Sequence, residues 1–152
     1  MHTRRQLLQR SATLAGLLGG LGLLPDAAQA AWNSAAFEAK SVAEVLKALG
    51  AAAPTLSSAV SVSGPDIAEN GAVVPVGCAT TLAGVKRLMI LVEKNPNTLS
   101  AIFELSDAVE PSFSTRVKMG QSSNVMVVAV TADDKLLYAQ KEIKITLGGC
   151  GG

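Results

Sequence analysis

The side chain best placed to do chemistry stands in the run Gly148-Gly149-Cys150-Gly151-Gly152, where four glycines bracket one cysteine at the C-terminal end of a 152-residue sequence. Glycine has no Cβ and the widest backbone freedom, so this segment prefers neither helix nor strand and can bury no apolar surface. It reads as a flexible arm, with Gly148, Gly149, Gly151 and Gly152 supplying the freedom. Five extended residues reach about 17 Å, at roughly 3.3–3.6 Å each. Only the thiol gives the arm any width, which suits a soft nucleophile that enters narrow active sites on other proteins. Nothing nearby activates that thiol. The arm holds no Lys, Arg or helix N-terminus, so a pKa near the usual value of about 8.5 is expected, with a few per cent thiolate at pH 7. Cys150 is therefore expected to be a point of covalent attachment, activated by partners, with no catalytic residue of the chain's own.

Two other uses of Cys150 compete with this one. A disulfide to Cys78 would span 72 residues, a spacing similar to the inter-sheet bridge of antibody-type domains. That bridge joins two strands and packs on a Trp between them, whereas Cys150 follows the last strand and Trp32 precedes both cysteines. A metal ligand is the other use, but one Cys with no imidazole and no second Cys nearby makes a poor site, so no metal and no cofactor are expected. The single histidine, His2, stands beside the first Met. Without it, triads, Cys–His dyads and His-ligated metals are out of reach.

His2 is expected to be lost with an export signal. Arg4 and Arg5 precede a glycine-broken apolar run from Leu14 to Leu24, followed by Pro25 and the small-residue pattern Ala28-Gln29-Ala30. Residues 1–30 thus have the layout of a twin-arginine signal cleaved near Ala30, and the expected location is the periplasm. The apolar run is short for a span of about 20 residues, so no membrane anchor is expected. Cleavage removes Arg4, Arg5, Arg10 and Asp26, taking the net charge from +1 to about −1. That balance, with 3% aromatic residues, excludes the basic surfaces and stacking platforms of nucleic-acid binders. The twin-arginine route carries folded cargo, often with a partner attached. With no cofactor ligands in view, a partner is the better reason for using it.

The arm must be carried by residues 31–147. Ser41-Val42-Ala43-Glu44 forms a capping box, Val42, Val45, Leu46 and Leu49 make one helical face, and Gly50 ends the helix. This short helix packs on the rest of the domain or on a partner; the sequence does not separate the two. Beyond Pro54 the apolar period is two. Val60 and Val62 alternate, then Val74, Val76 and Cys78 after a turn at Asn70-Gly71, then Leu88, Ile90 and Val92 up to Asn95-Pro96-Asn97. Leu99 to Leu105, Phe113 to Met119, Val125 to Ala129 and Ile143 to Leu147 follow, with a turn at Asp133-Asp134. About seven short strands predict an all-β, immunoglobulin-like antiparallel β-sandwich, with a barrel as the alternative. Cys78, in phase with Val74 and Val76, is expected to be a small buried strand residue, the alternative being a bond to a partner subunit or a resting-state bridge.

Four stretches together carry a family resemblance: Ile67-Ala68-Glu69-Asn70-Gly71-Ala72-Val73-Val74-Pro75-Val76, Phe113-Ser114-Thr115-Arg116-Val117-Lys118-Met119, Lys141-Glu142-Ile143-Lys144-Ile145, and the Gly-Cys-Gly arm. The sequence resembles SoxY, the sulfur-carrier subunit of the periplasmic thiosulfate-oxidising system, over nearly its whole length. The resemblance implies a β-sandwich paired with a second β-sandwich subunit, SoxZ, and sulfur intermediates held on Cys150. It further implies transient visits to SoxAX, which couples thiosulfate oxidatively to the thiol, to SoxB, which hydrolyses off sulfate, and, where present, to SoxCD, which oxidises the remaining persulfide sulfur. The protein would be a carrier, not an enzyme. Two function classes compete: a diglycine-ended sulfur-transfer protein of the ubiquitin-like kind, which needs neither an export signal nor a thiol, and a periplasmic β-sandwich interaction module, which leaves the arm without a purpose.

Overall fold

The computed structural model describes residues 33–147. Two short helices lead into nine strands: α1 (Ser34–Glu38), α2 (Val42–Ala48), β1 (Thr55–Leu56), β2 (Val60–Ser63), β3 (Ile67–Asn70), β4 (Val74–Thr80), β5 (Val85–Val92), β6 (Leu99–Glu104), β7 (Ser112–Val117), β8 (Ser123–Thr131) and β9 (Leu136–Leu147). They build a β-sandwich. One sheet has the order β1-β9-β8-β5-β6, with β3 added beside the far end of β9, and the other has the order β2-β4-β7. Every pairing is antiparallel except β1 and β3 on β9, which are parallel.

Between the sheets lies a core of β-branched and aliphatic side chains. Val74, Val76, Cys78 and Val117 of the small sheet meet Leu88, Ile90, Val92, Val125, Val127 and Ile143 of the large one. Each set alternates along its strand, as period-two sequence requires when one face is buried. Phe103 and Phe113 close one open side by stacking, with ring centroids 4.6 Å apart.

The large sheet has a second buried face. Met89, Leu91, Val128, Val130 and Leu136 point away from the sandwich core and pack with Ala36, Ala39, Val45 and Leu46 of the helical segment. The helical segment therefore covers the domain's own sheet, which resolves the choice left open by the sequence. Central strand β5 is apolar on both faces, so it reads Leu88-Met89-Ile90-Leu91-Val92 without a polar break.

Helix α2 is bounded as its sequence requires. The Ser41 hydroxyl accepts from the Glu44 amide at 3.3 Å. The Glu44 carboxylate accepts from the Lys40 amide at 2.8 Å, one residue earlier than the usual reciprocal bond. At the other end Gly50 takes φ +65°, while its amide reaches Lys47 O and the Ala51 amide reaches Leu46 O. These are the two bonds of a Schellman stop.

Strands β1 and β3, both parallel to β9, were not foreseen, and three other features differ from the sequence reading. Helix α1, capped by Asn33, is too short to show a period. Strand β9 begins at Leu136, seven residues before its alternation becomes legible. The turn at Asn70-Gly71 is present, with the Ala72 amide bonded to Asn70 Oδ1 at 2.9 Å. It does not close a hairpin, however: β3 belongs to the large sheet and β4 to the small one.

Candidate functional site

Arg4, Arg5 and the arm residues Gly148, Gly149, Cys150, Gly151 and Gly152 lie outside the described residues. The structure does place the ground from which the arm departs, and that ground is tightly braced. Strand β3 runs parallel to the last residues of β9, with Ile67 opposite Lys144, Ala68 opposite Ile145 and Asn70 opposite Leu147. The Lys144 amide donates to Asp66 O at 2.9 Å and the Thr146 hydroxyl to Glu69 O at 3.2 Å. On the other side β8 stops pairing at Ile143, and the Ser122 hydroxyl takes over by accepting from the Ile145 amide at 2.9 Å.

The neighbouring loops are tied to one another. Met119 N donates to Gly71 O at 2.7 Å, joining the turn after β3 to the segment after β7. Asn95 bridges as well, donating to Lys118 O at 2.6 Å and accepting from the Gly120 amide at 3.3 Å. A little further back, Lys141 Nζ donates to Gly64 O at 2.6 Å and pairs with Asp66 at 2.9 Å, which holds that carboxyl below its usual range. None of these braces was named from the sequence. Ser122 sits in a polar loop with no local pattern that distinguishes it from a solvated residue, and Asn95 was read only as part of the turn Asn95-Pro96-Asn97.

Cys78 sits where its phase placed it. It is a free thiol, 2% exposed, in the core between the sheets. Desolvation pushes its pKa up to about 11. A thiol so buried and so reluctant to ionise is a poor nucleophile.

Two concavities among the described residues offer little chemistry. One of about 240 Å³ lies on the small sheet, lined by Ser61, Ser63, Gly77 and Ala79 together with Ser112 and Ser114. Its hydroxyls have no base beside them. A second, of about 330 Å³, lies between Leu49, Met89, Val130 and Leu136 with Lys86 and Arg87 at its edge. Both cations are already paired, Lys86 with Asp134 and Arg87 with Glu104. Among the described residues no three His, Cys, Asp or Glu side chains gather as a metal site.

The described residues gather no metal-binding cluster of their own, and in the sequence β9 is followed by the glycine-flanked Cys150. The family model for the sulfur oxidation protein SoxY matches residues 45–150. The chain belongs to the SoxY family. A solved relative agrees: the sulfur carrier protein SoxY from Chlorobium limicola f. thiosulfatophilum is 32% identical, with 68% of this chain and 93% of that one covered and a TM-score of 0.61. Two superoxide reductase (neelaredoxin) structures from Ignicoccus hospitalis, 13% and 16% identical, reach a TM-score of 0.51 and share the fold. They cover 57% and 65% of this chain, and 78% and 86% of their own. No curated protein matches the chain. Family membership gives the protein a carrier's role in sulfur oxidation and a place among the proteins of the Sox system.

Proposed function

We propose that the protein carries thiosulfate-derived sulfur as a covalent adduct on Cys150 and presents it to partner enzymes without catalysing a step itself. The observation that carries this reading is the extent of the family match, which runs from residue 45 to residue 150 and so includes the arm cysteine. The burial and raised pKa of Cys78 support it, because they leave Cys150 as the thiol able to react.

In the loading step the Cys150 sulfur bonds to the outer sulfur of thiosulfate. A cysteine S-thiosulfonate forms, and the thiol proton and two electrons leave. The oxidant is supplied by the partner, SoxAX on the family's pattern. Hydrolysis by SoxB then adds water across the sulfur–sulfonate bond, releasing sulfate and leaving a persulfide, which SoxCD oxidises further where it is present. SoxZ is the companion subunit. The twin-arginine layout around Arg4 and Arg5 supports export, so the working location is the periplasm.

The test is intact mass of protein purified from thiosulfate-grown cells. The wild type is expected to carry mass increments of sulfur or thiosulfonate. Cys150→Ser is expected to carry none while folding normally and keeping its companion subunit. An adduct surviving on the Ser variant ends the assignment.

A further inference from the structure

We infer that the braced turn after β3, closed by Val73, is the surface on which a loading or unloading enzyme rests while it holds the arm. The inference builds on the covalent-carrier reading above. Cys150 lies three residues beyond the last strand residue, Leu147, with Gly148 and Gly149 between them. Fully extended, those three steps span about 10–11 Å. An enzyme that takes this thiol into a channel must therefore bring the mouth of that channel within about the same distance of the end of β9. The body around the arm root cannot stay solvated during transfer.

What lies there is defined by the pairing. Asn70 is directly opposite Leu147. The Val73 amide donates back to Asn70 O at 3.5 Å, so Val73 closes a four-residue turn whose ends lie within about 7 Å. Four large apolar side chains are exposed among the described residues: Leu56, Ile67, Val73 and Val109. Leu56 pairs with Tyr138 near the start of β9, about 30 Å of strand away from the arm. Val109 follows β6, whose last residue Glu104 lies opposite Arg87 at the same distant end. Val73, 52% exposed, lies beside the arm root, with Ile67 on the adjoining flank.

A lone exposed valine is ordinary on a protein surface. The short tether makes this one different, because it forces contact there. The turn is also held from outside, by Met119 N donating to Gly71 O, and from within, by the Ala72 amide donating to Asn70 Oδ1. A platform ordered before binding loses little freedom on docking. The partner it fits is an enzyme whose channel mouth presents an apolar rim.

The experiment replaces the chromosomal copy with Val73→Asp or the milder Val73→Ser, using Val109→Asp as the control. Thiosulfate consumption and the adduct fraction by intact mass are then measured. A charge at a central apolar contact is expected to slow consumption tenfold or more, with Val73→Ser intermediate and Val109→Asp unchanged. Alkylation of Cys150 by iodoacetamide should stay at the wild-type rate, which shows that the thiol itself is intact. Wild-type consumption by Val73→Asp overturns the docking surface and leaves the carrier reading untouched. Loss of the companion subunit from Val73→Asp also overturns it, by assigning the turn to that interface instead.

Discussion

Alkylation separates the two cysteines by a margin that follows from the structure. Cys78 has a pKa of about 11, so at pH 8 about one molecule in a thousand carries the thiolate there. An ordinary thiol at about 8.5 is roughly one-quarter ionised at that pH. Ionisation alone thus slows Cys78 by about two hundredfold relative to an ordinary thiol, which is what the sequence leads one to expect of Cys150. Burial adds to this, since Cys78 is 2% exposed between the two sheets and a reagent must wait for the strands to part. Reduced native protein treated with iodoacetamide should therefore take up one label, mapped by peptide mass to Cys150, and a second only in denaturant. The Cys150→Ser variant should take up none until unfolded. If native Cys78 is labelled within a factor of ten of the Cys150 rate, the buried-thiol argument fails, and with it the claim that the arm holds the accessible thiol.

Further outcomes follow from other parts of the molecule. Leu91→Ala empties a position buried under the helices on the outer face of β5, and should cost about 2–5 kcal/mol in denaturant unfolding. A loss below 1 kcal/mol would mean that the helical cover is loose. Because the folded-state pKa of Cys78 is raised, the native protein holds that proton more tightly than the unfolded chain does. The associated stability is complete below about pH 8 and declines as pH rises towards 11, by about 1–2 kcal/mol at pH 10. Cys78→Ala should lack this part of the slope in urea titrations between pH 7 and pH 10, and an identical slope would refute it. Replacing Arg4 and Arg5 together by Lys should trap the protein in the cytoplasm, as read by cell fractionation. Continued export would exclude the twin-arginine route.

Much of the sandwich was legible because local patterns carry it. Period-two alternation marks a strand with one buried face, so the strands around Val76, Val117 and Val127 could be read without any partner in view. Cys78 could be assigned to the core from its phase with Val74 and Val76, and the structure places it there. The stop at Gly50 was equally local, since a left-handed residue after a helical face needs glycine. The arm is the extreme case: its meaning lies in composition and order alone, and it falls outside the described residues.

What the sequence left undecided was every relation between distant segments. The stretch Leu88 to Val92 alternates only if half of it is ignored, because both of its faces are buried, one against the small sheet and one against the helices. Asn70-Gly71 looks like a hairpin turn, yet the strands it joins pair with β9 and β7, far along the chain. The brace at the arm root depends on Ser122, Asn95 and Met119 meeting residues that are more than twenty positions away. A single residue's type restricts its own backbone and its exposure to water. Which edge it meets is decided by the packing free energy of the whole domain, and that sum exists only once the chain has closed on itself.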